Sequence, residues 1–202
     1  MRSLLLALVL SLFFTPLSLA EEKPKEKEVK KIKIKFDGAE YWVNTESYNF
    51  GEVEKGKIYR AKQMDAEALE KFVAKHQIKT IITLHGNPPA SEVEVIENNH
   101  LKLLAYPLSA NREPKEETIK EILDHLKNEE NHPILIHCAG GADRTGLIIA
   151  LKRIEQDGWD MEKAKKEMLF YWHIPKLHPA MFRCLERRWK EKVGPPKSEE
   201  KK

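Results

Sequence analysis

Cysteine is nearly absent from this chain of 202 residues: there are two, Cys138 and Cys184. Two cysteines build no disulfide framework. Charge of one sign is also missing. Thirty-five Lys and Arg face 32 Asp and Glu, a formal net charge of +3. No dense basic stripe interleaves with aromatics, so nucleic acid is set aside as a partner. There is no internal repeat, which excludes solenoids and propellers. Long hydrophobic runs are absent but for one, Leu4 to Leu19, interrupted by Ser11, Thr15, Pro16 and Ser18. That run is short for a membrane span. Arg2 precedes it, and small Ser18 and Ala20 close it before the polar stretch from Glu21. The pattern predicts an export signal over 1–20, cleaved after Ala20, with an uncleaved anchor as the alternative. No cysteine follows the run, so nothing supports lipid attachment there. Cleavage leaves a net charge of +2. The expectation is a periplasmic or secreted protein with no stable membrane association, acting as a monomer.

What remains suits one domain with a real core, the hydrophobic fraction being 41%. Residues 21–31 (EEKPKEKEVKK) and 194–202 (GPPKSEEKK) are charged and poor in apolar residues, and read as a disordered leader and tail. The folded unit is 32–193. Within it, 32–36, 41–44, 57–61, 80–84, 101–106 and 133–137 read as strands. Helices are expected from Asp65 as cap to about residue 75, then over 91–99, 116–127, 143–156, 161–171 and 179–192. Ile119, Ile122, Leu123 and Leu126 form one stripe. Trp159, Trp172 and Trp189 read as core or helix-packing residues. Strands alternate with helices, and several strands are apolar on both faces. This predicts the α/β class, a central, mainly parallel sheet flanked by helices. Ligands in such sheets bind beyond the carboxyl ends of the strands, where Cys138 falls.

The segment HCAGGADRTG, His137 to Gly146, carries the chemistry. Five residues separate Cys138 from Arg144. A strand enters the segment and a helix leaves it. Backbone N–H groups of Ala139, Gly140, Gly141, Ala142, Asp143 and Arg144 can cradle a phosphate dianion. The helix N-terminus adds amides and positive dipole, and these donors favour a thiolate at Cys138. Arg144 can hold two phosphate oxygens with its planar fork. Gly140 and Gly141 permit a tight, partly left-handed turn. Thr145 offers a hydroxyl to the thiolate, and His137 reads as a positioning residue under the loop. No Gly-Lys-Ser/Thr follows the glycines, which excludes a nucleotide-binding P-loop.

This segment resembles the active-site loop of the protein tyrosine phosphatase superfamily: His-Cys, five residues, then Arg followed by Ser or Thr. The stretch NFGEVEKGKIYRA is similar to the opening of its atypical dual-specificity and bacterial members. The resemblance implies a cysteine-phosphatase-like fold, no cofactor and a two-step reaction. Cys138 attacks phosphorus, a phosphocysteine forms, an acid protonates the leaving oxygen, and water hydrolyses the intermediate. The superfamily usually takes its acid from an Asp about thirty residues before the cysteine. Here that region, PLSANREPKEE from Pro107 to Glu117, contains no Asp. Glu113 is one candidate acid, with a solvated helix-start residue as its plainer reading. Asp143 is another; the form Cys-x-x-Gly-x-Asp-Arg-Thr is similar to that of myotubularin-type lipid phosphatases and some bacterial enzymes. A helix cap orienting Arg144 is the alternative for Asp143. His85, Arg112, Lys115, Lys176 and His178 are candidates for the substrate rim. The spacings of His173 with His178 and of His132 with His137 lack a partner cluster, so no metal is expected.

Export away from kinase-made phosphoproteins favours a scavenger of small phosphate esters. A secreted branch of the superfamily, the tyrosine-phosphatase-like phytases, has a similar loop, usually with Gly in the place of Asp143. Inositol polyphosphate is therefore the first expected substrate, and phosphotyrosine, for a tyrosine or dual-specificity phosphatase, the second. A phosphate-binding module without turnover is the reading from another class.

Overall fold

The computed structural model describes residues 30–36 and 39–194. The expected export signal, all but the last two residues of the leader, and the tail beyond Gly194 lie outside the described residues. Strands β1 (Lys31–Phe36) and β2 (Ala39–Asn44) form an antiparallel hairpin of their own. There follow β3 (Gly51–Glu54), β4 (Ile58–Lys62), α1 (Ala66–His76), β5 (Thr80–Thr83), α2 (Ala90–Asn98), β6 (Lys102–Ala105), α3 (Glu116–Lys127), β7 (Ile134–Cys138), α4 (Asp143–Glu155), α5 (Met161–Phe170) and α6 (Pro179–Val193).

The main sheet has the order β3-β4-β7-β5-β6. Only β3 runs antiparallel; β4, β7, β5 and β6 are mutually parallel. The expected strands and helices are therefore present, in the mainly parallel α/β arrangement. β3 is an addition. Its four residues, GEVE, are too short and too charged to show a strand pattern, and pairing with β4 creates it, Gly51 lying opposite Arg60.

Strands β5 and β7 are buried along their whole length, as continuous apolar runs in a doubly covered parallel sheet must be. On one face Tyr59, Ala61, Ile81 and Leu135 pack against Leu69 and Val73 of α1 and Val95 and Ile96 of α2. On the other, Ile58, Ile82, Ile134, Ile136 and Cys138 meet the α3 stripe of Ile119, Ile122, Leu123 and Leu126, together with α4, α5 and α6. Truncating any stripe residue to alanine costs about 2–5 kcal/mol. Asp65 caps α1 as expected, accepting from the Ala68 N–H at 2.9 Å.

One tryptophan departs from expectation. Trp172 is 39% exposed and lies in a left-handed turn after α5 rather than in the core. Its Nε1 donates to the Asn44 carbonyl at 2.6 Å, tying the β1–β2 hairpin to the domain. Among the described residues no helix is long and apolar enough to cross a membrane.

Candidate active site

β7 is the middle strand, and its last residue is Cys138. Lys62 is its register partner on β4, and Thr83 of β5 pairs with His137. Beyond the ladders, the Gln63 N–H donates to the Cys138 carbonyl and the Leu84 N–H to the His137 carbonyl, both at 2.8 Å. The strand end is thus gripped from both sides, and the chain must turn sharply to enter α4.

Gly141 makes that turn possible. Its φ is 65°, and a Cβ there would lie 2.5 Å from the Lys62 nitrogen and 2.6 Å from the Ala61 carbonyl carbon. Gly140 has neither constraint, since a Cβ there meets nothing within 4 Å. The expectation that both glycines serve the turn therefore narrows to one. Ala139 and Gly140 are exposed, while Gly141, Ala142 and Cys138 are buried.

Arg144 stands in the first turn of α4. Its Nη1 reaches His85 Nδ1 at 2.9 Å and, more weakly, the Leu84 and Leu108 carbonyls at 3.4 and 3.5 Å. A guanidinium can only donate, so His85 Nδ1 accepts and the imidazole proton is on Nε2. Arg144 Nε is buried without a protein partner, and so is Thr145 Oγ1. Buried donors normally find acceptors. A phosphate oxygen suits the first and a thiolate suits the second.

His137 faces the opposite side of the sheet. Its Nε2 lies 2.8 Å from Glu92 Oε1, and Gln63 Nε2 donates to Glu92 Oε2 at 2.9 Å. Both members of the pair are at least 97% buried. Asp143 is not a helix cap: Ala142 holds that position without a side-chain bond. The Asp143 carboxylate turns to His173 Nδ1 at 2.7 Å and His178 Nε2 at 3.6 Å. His178 Nδ1 contacts Asn111 Oδ1 at 2.8 Å, which links the 107–117 segment to the loop. Among the described residues no group of three His, Cys, Asp or Glu is placed to hold a metal.

Of the expected site residues, the structure gathers Cys138, the loop, Asp143, Arg144, Thr145, His137, His85 and His178. Glu113 is engaged elsewhere, its carboxylate 3.2 Å from Arg187 Nε and 4.0 Å from Arg183 Nε on α6. Arg112, Lys115 and Lys176 are exposed. Sequence reasoning missed Arg60, whose Nη2 donates to the Gly141 carbonyl at 2.7 Å. It also missed Glu92, His173 and Asn49, the last donating to the Gly140 and Tyr171 carbonyls at 3.3 and 3.0 Å. Tyr48 and Asn49 are both left-handed, at φ 59° and 49°, a strained pair of the kind that gathers at functional sites. Arg60 had a visible signal: a lone charge inside the apolar strand IYRA.

A buried cysteine, a glycine turn and a first-turn arginine, beyond the middle strand of a helix-covered parallel sheet, define a protein of the tyrosine-phosphatase-like class. The model of the tyrosine phosphatase family matches residues 45–178, and the chain belongs to that family. It is 32% identical over 124 residues to the inositol diphosphatase DSP3 of Arabidopsis thaliana, covering 59% of this chain and 60% of that one. It is 27% identical over 111 residues to the dual specificity protein phosphatase TpbA of Pseudomonas aeruginosa, covering 55% and 49%. The chain thus spans about half to three-fifths of the length of these relatives. The crystal structure of TpbA in complex with pTyr superposes with a TM-score of 0.61 at 23% identity, over 69% of this chain and 83% of that one. The core catalytic domain of the PP-IP phosphatase SIW14 from S. cerevisiae superposes with a TM-score of 0.62 at 24% identity, over 72% and 88%.

Proposed function

We propose that this protein is a cysteine-dependent phosphatase whose preferred substrates are inositol phosphates bearing a diphosphate. Cys138 attacks the terminal phosphorus, the bond to the leaving oxygen breaks, and a phosphocysteine forms. Water then attacks phosphorus, the S–P bond breaks, and inorganic phosphate leaves. Arg144 holds the equatorial oxygens, and Thr145 donates to the departing thiolate. The observation that carries this reading is the pair of buried donors without protein partners, Arg144 Nε and Thr145 Oγ1, on the turn that follows Cys138.

The choice of a diphosphate rests on the leaving group. The 107–117 segment has no Asp, Glu113 is paired with arginines, and Asp143 is bonded to His173. An alkoxide departs poorly without a well-placed acid, whereas a leaving phosphate departs as a stable anion. The similarity to the plant inositol diphosphatase supports the same choice. The similarity to TpbA favours a second reading, a dual-specificity protein phosphatase. We also read residues 1–20 as an export signal, which N-terminal sequencing of the expressed protein tests: a mature chain beginning at Glu21 is expected.

Phosphate release is to be measured from a diphosphorylated inositol phosphate, from inositol hexakisphosphate and from a phosphotyrosine peptide, with Cys138→Ser as control. Fastest Cys138-dependent release from the diphosphate is expected. Release from the peptide alone replaces this reading with the second. Release from none leaves a phosphate-binding module.

A further inference from the structure

Arg60 is an unusual charge. It lies on β4, two residues before the register partner of Cys138, on the sheet face shared with Ile58, Ile136 and Cys138. Its relative exposure is 0%. Nη2 donates to the Gly141 carbonyl, and the guanidinium carbon sits 3.7 Å from the centre of the Tyr171 ring. Nε and Nη1 have no partner, and among the described residues no carboxylate lies within ion-pair distance of it. Glu167, the acid whose field it feels, is forked by Arg153 at 3.0–3.3 Å. An unpaired buried ion is costly, and natural cores rarely keep one.

The surroundings are built to keep it. The Tyr171 ring is wedged against Gly51, where a Cβ would fall 2.0 Å from the phenolic oxygen. A stack therefore runs from the edge strand to the loop: Gly51, the Tyr171 ring, the Arg60 guanidinium, the Gly141 carbonyl. Drawing that carbonyl down beneath the loop leaves the loop's N–H groups to face the other side, which is the orientation an anion cradle needs. Burial pulls the guanidinium below its ordinary value, while the carboxylate of Glu167 pulls it back up. Arg60 lies opposite Ile136, so Cys138 is two residues further along the same face of the neighbouring strand, and both side chains are buried; a cation so placed favours a thiolate over a thiol.

We infer that Arg60 is a positioning residue for the phosphatase reaction, pinning the Gly141 carbonyl beneath the cradle and acting as the buried counter-charge of the Cys138 thiolate. The inference rests on the cysteine-phosphatase reading above. The groups facing Arg60 are Cys138 on β7, Arg153 on α4, Glu167 on α5 and Tyr171 just after it. His137 with Glu92 occupies the opposite sheet face, and Asp143 and Arg144 stand at the loop's far end.

The test compares the full chain with Arg60→Met and Arg60→Lys. The readouts are cooperative melting, orthovanadate affinity, and the rate of Cys138 alkylation by iodoacetamide from about pH 5 to about pH 9, followed by mass on the Cys138 peptide. Iodoacetamide is neutral, so losing a nearby cation does not change its approach. Burial pushes the Cys184 thiol up to about 11, so it stays protonated through this window. Arg60→Met is expected to fold, because methionine fills the apolar base and no ion pair is broken. Removing a cation disfavours the thiolate, so its alkylation profile moves to higher pH. The rate at about pH 6 falls tenfold or more, and vanadate affinity falls with it. Arg60→Lys retains the alkylation profile but binds vanadate more weakly, lacking the fork. A folded Arg60→Met whose profile superimposes on that of the unaltered chain overturns the inference. If Arg60→Met does not fold, Arg60→Lys decides: a retained profile supports the counter-charge, and one displaced tenfold in rate at about pH 6 overturns it. Absence of Cys138-dependent phosphate release from every substrate is a separate result. It sinks the enzyme reading and leaves the alkylation comparison interpretable.

Discussion

Among the described residues, the arginines packed into the domain fall into two populations. At the α4–α6 side each meets carboxylates. Arg153 forks Glu167 and bonds Asp157; Arg187 meets Glu113, Glu116 and Glu191; Arg188 meets Glu116 and Glu155. At the loop, Arg60 and Arg144 have backbone carbonyls, an aromatic ring and an imidazole as neighbours, and among the described residues no carboxylate in ion-pair range. Paired arginines spend their charge on holding helices together. Unpaired ones keep it, and two such charges close to one buried cysteine form a field that only an anion completes.

Exchanging lysine for arginine tests the contrast most sharply. Arg144→Lys is expected to slow phosphate release about a hundred- to a thousandfold, because a point charge replaces a bidentate fork. Arg187→Lys is expected to leave turnover unchanged, and equal losses in the two variants break the comparison. Glu167→Gln leaves Arg153 with Asp157 as its one carboxylate and is expected to cost about 1–2 kcal/mol in urea unfolding, with turnover per folded molecule retained. Asp143→Asn sharpens the reading of the site itself. Release from a diphosphate and from an alkyl phosphomonoester is expected to fall by the same factor, about tenfold, because Asp143 is bonded to His173 and holds the loop. A fall far larger on the alkyl ester makes Asp143 an acid and removes the leaving-group argument for a diphosphate.

The smallest effect is on the paired side. Burial pushes the Glu116 carboxyl up, but Arg187 and Arg188 outweigh it and hold the group below its ordinary value. A depressed carboxylate stabilises the fold above its unfolded value, about 4.3, and that contribution is lost as pH falls through the folded value. Glu116 is 43% exposed, so water screens the pairs and Glu116→Gln is expected to cost about 1 kcal/mol or less at neutral pH. Acid titration followed by circular dichroism should show the two proteins converging below about pH 4.

The loop was legible from the sequence because its signals are contiguous: strand, cysteine, glycines, arginine and helix fall within fourteen residues of chain, 133–146. The helices and most strands were legible for the same local reason, the α3 stripe being the clearest. The rest of the site is made by partners far apart in the chain. Arg60 and Gly141 are 81 residues apart, His137 and Glu92 are 45, and Asp143 and His173 are 30. Periodicity records which face of an element is apolar, but not which strand lies beside it. Glu113 illustrates the limit. Its place in the chain suits an acid, and only the packing of α6, 74 residues on, turns it towards Arg187.

The position of β7 has a consequence for assembly. It is the last strand of the main sheet to leave the ribosome, yet it fills the gap between β4 and β5, both made earlier. Its pairings close loops of about seventy-five and about fifty-five residues, which makes its insertion a late step. The Gly141 carbonyl meets Arg60, and the Gln63 and Leu84 amides grip the strand end, only once β7 is seated. A nascent or partly opened chain therefore lacks the turn and the contacts that surround Cys138, and the site is assembled only with the completion of the sheet.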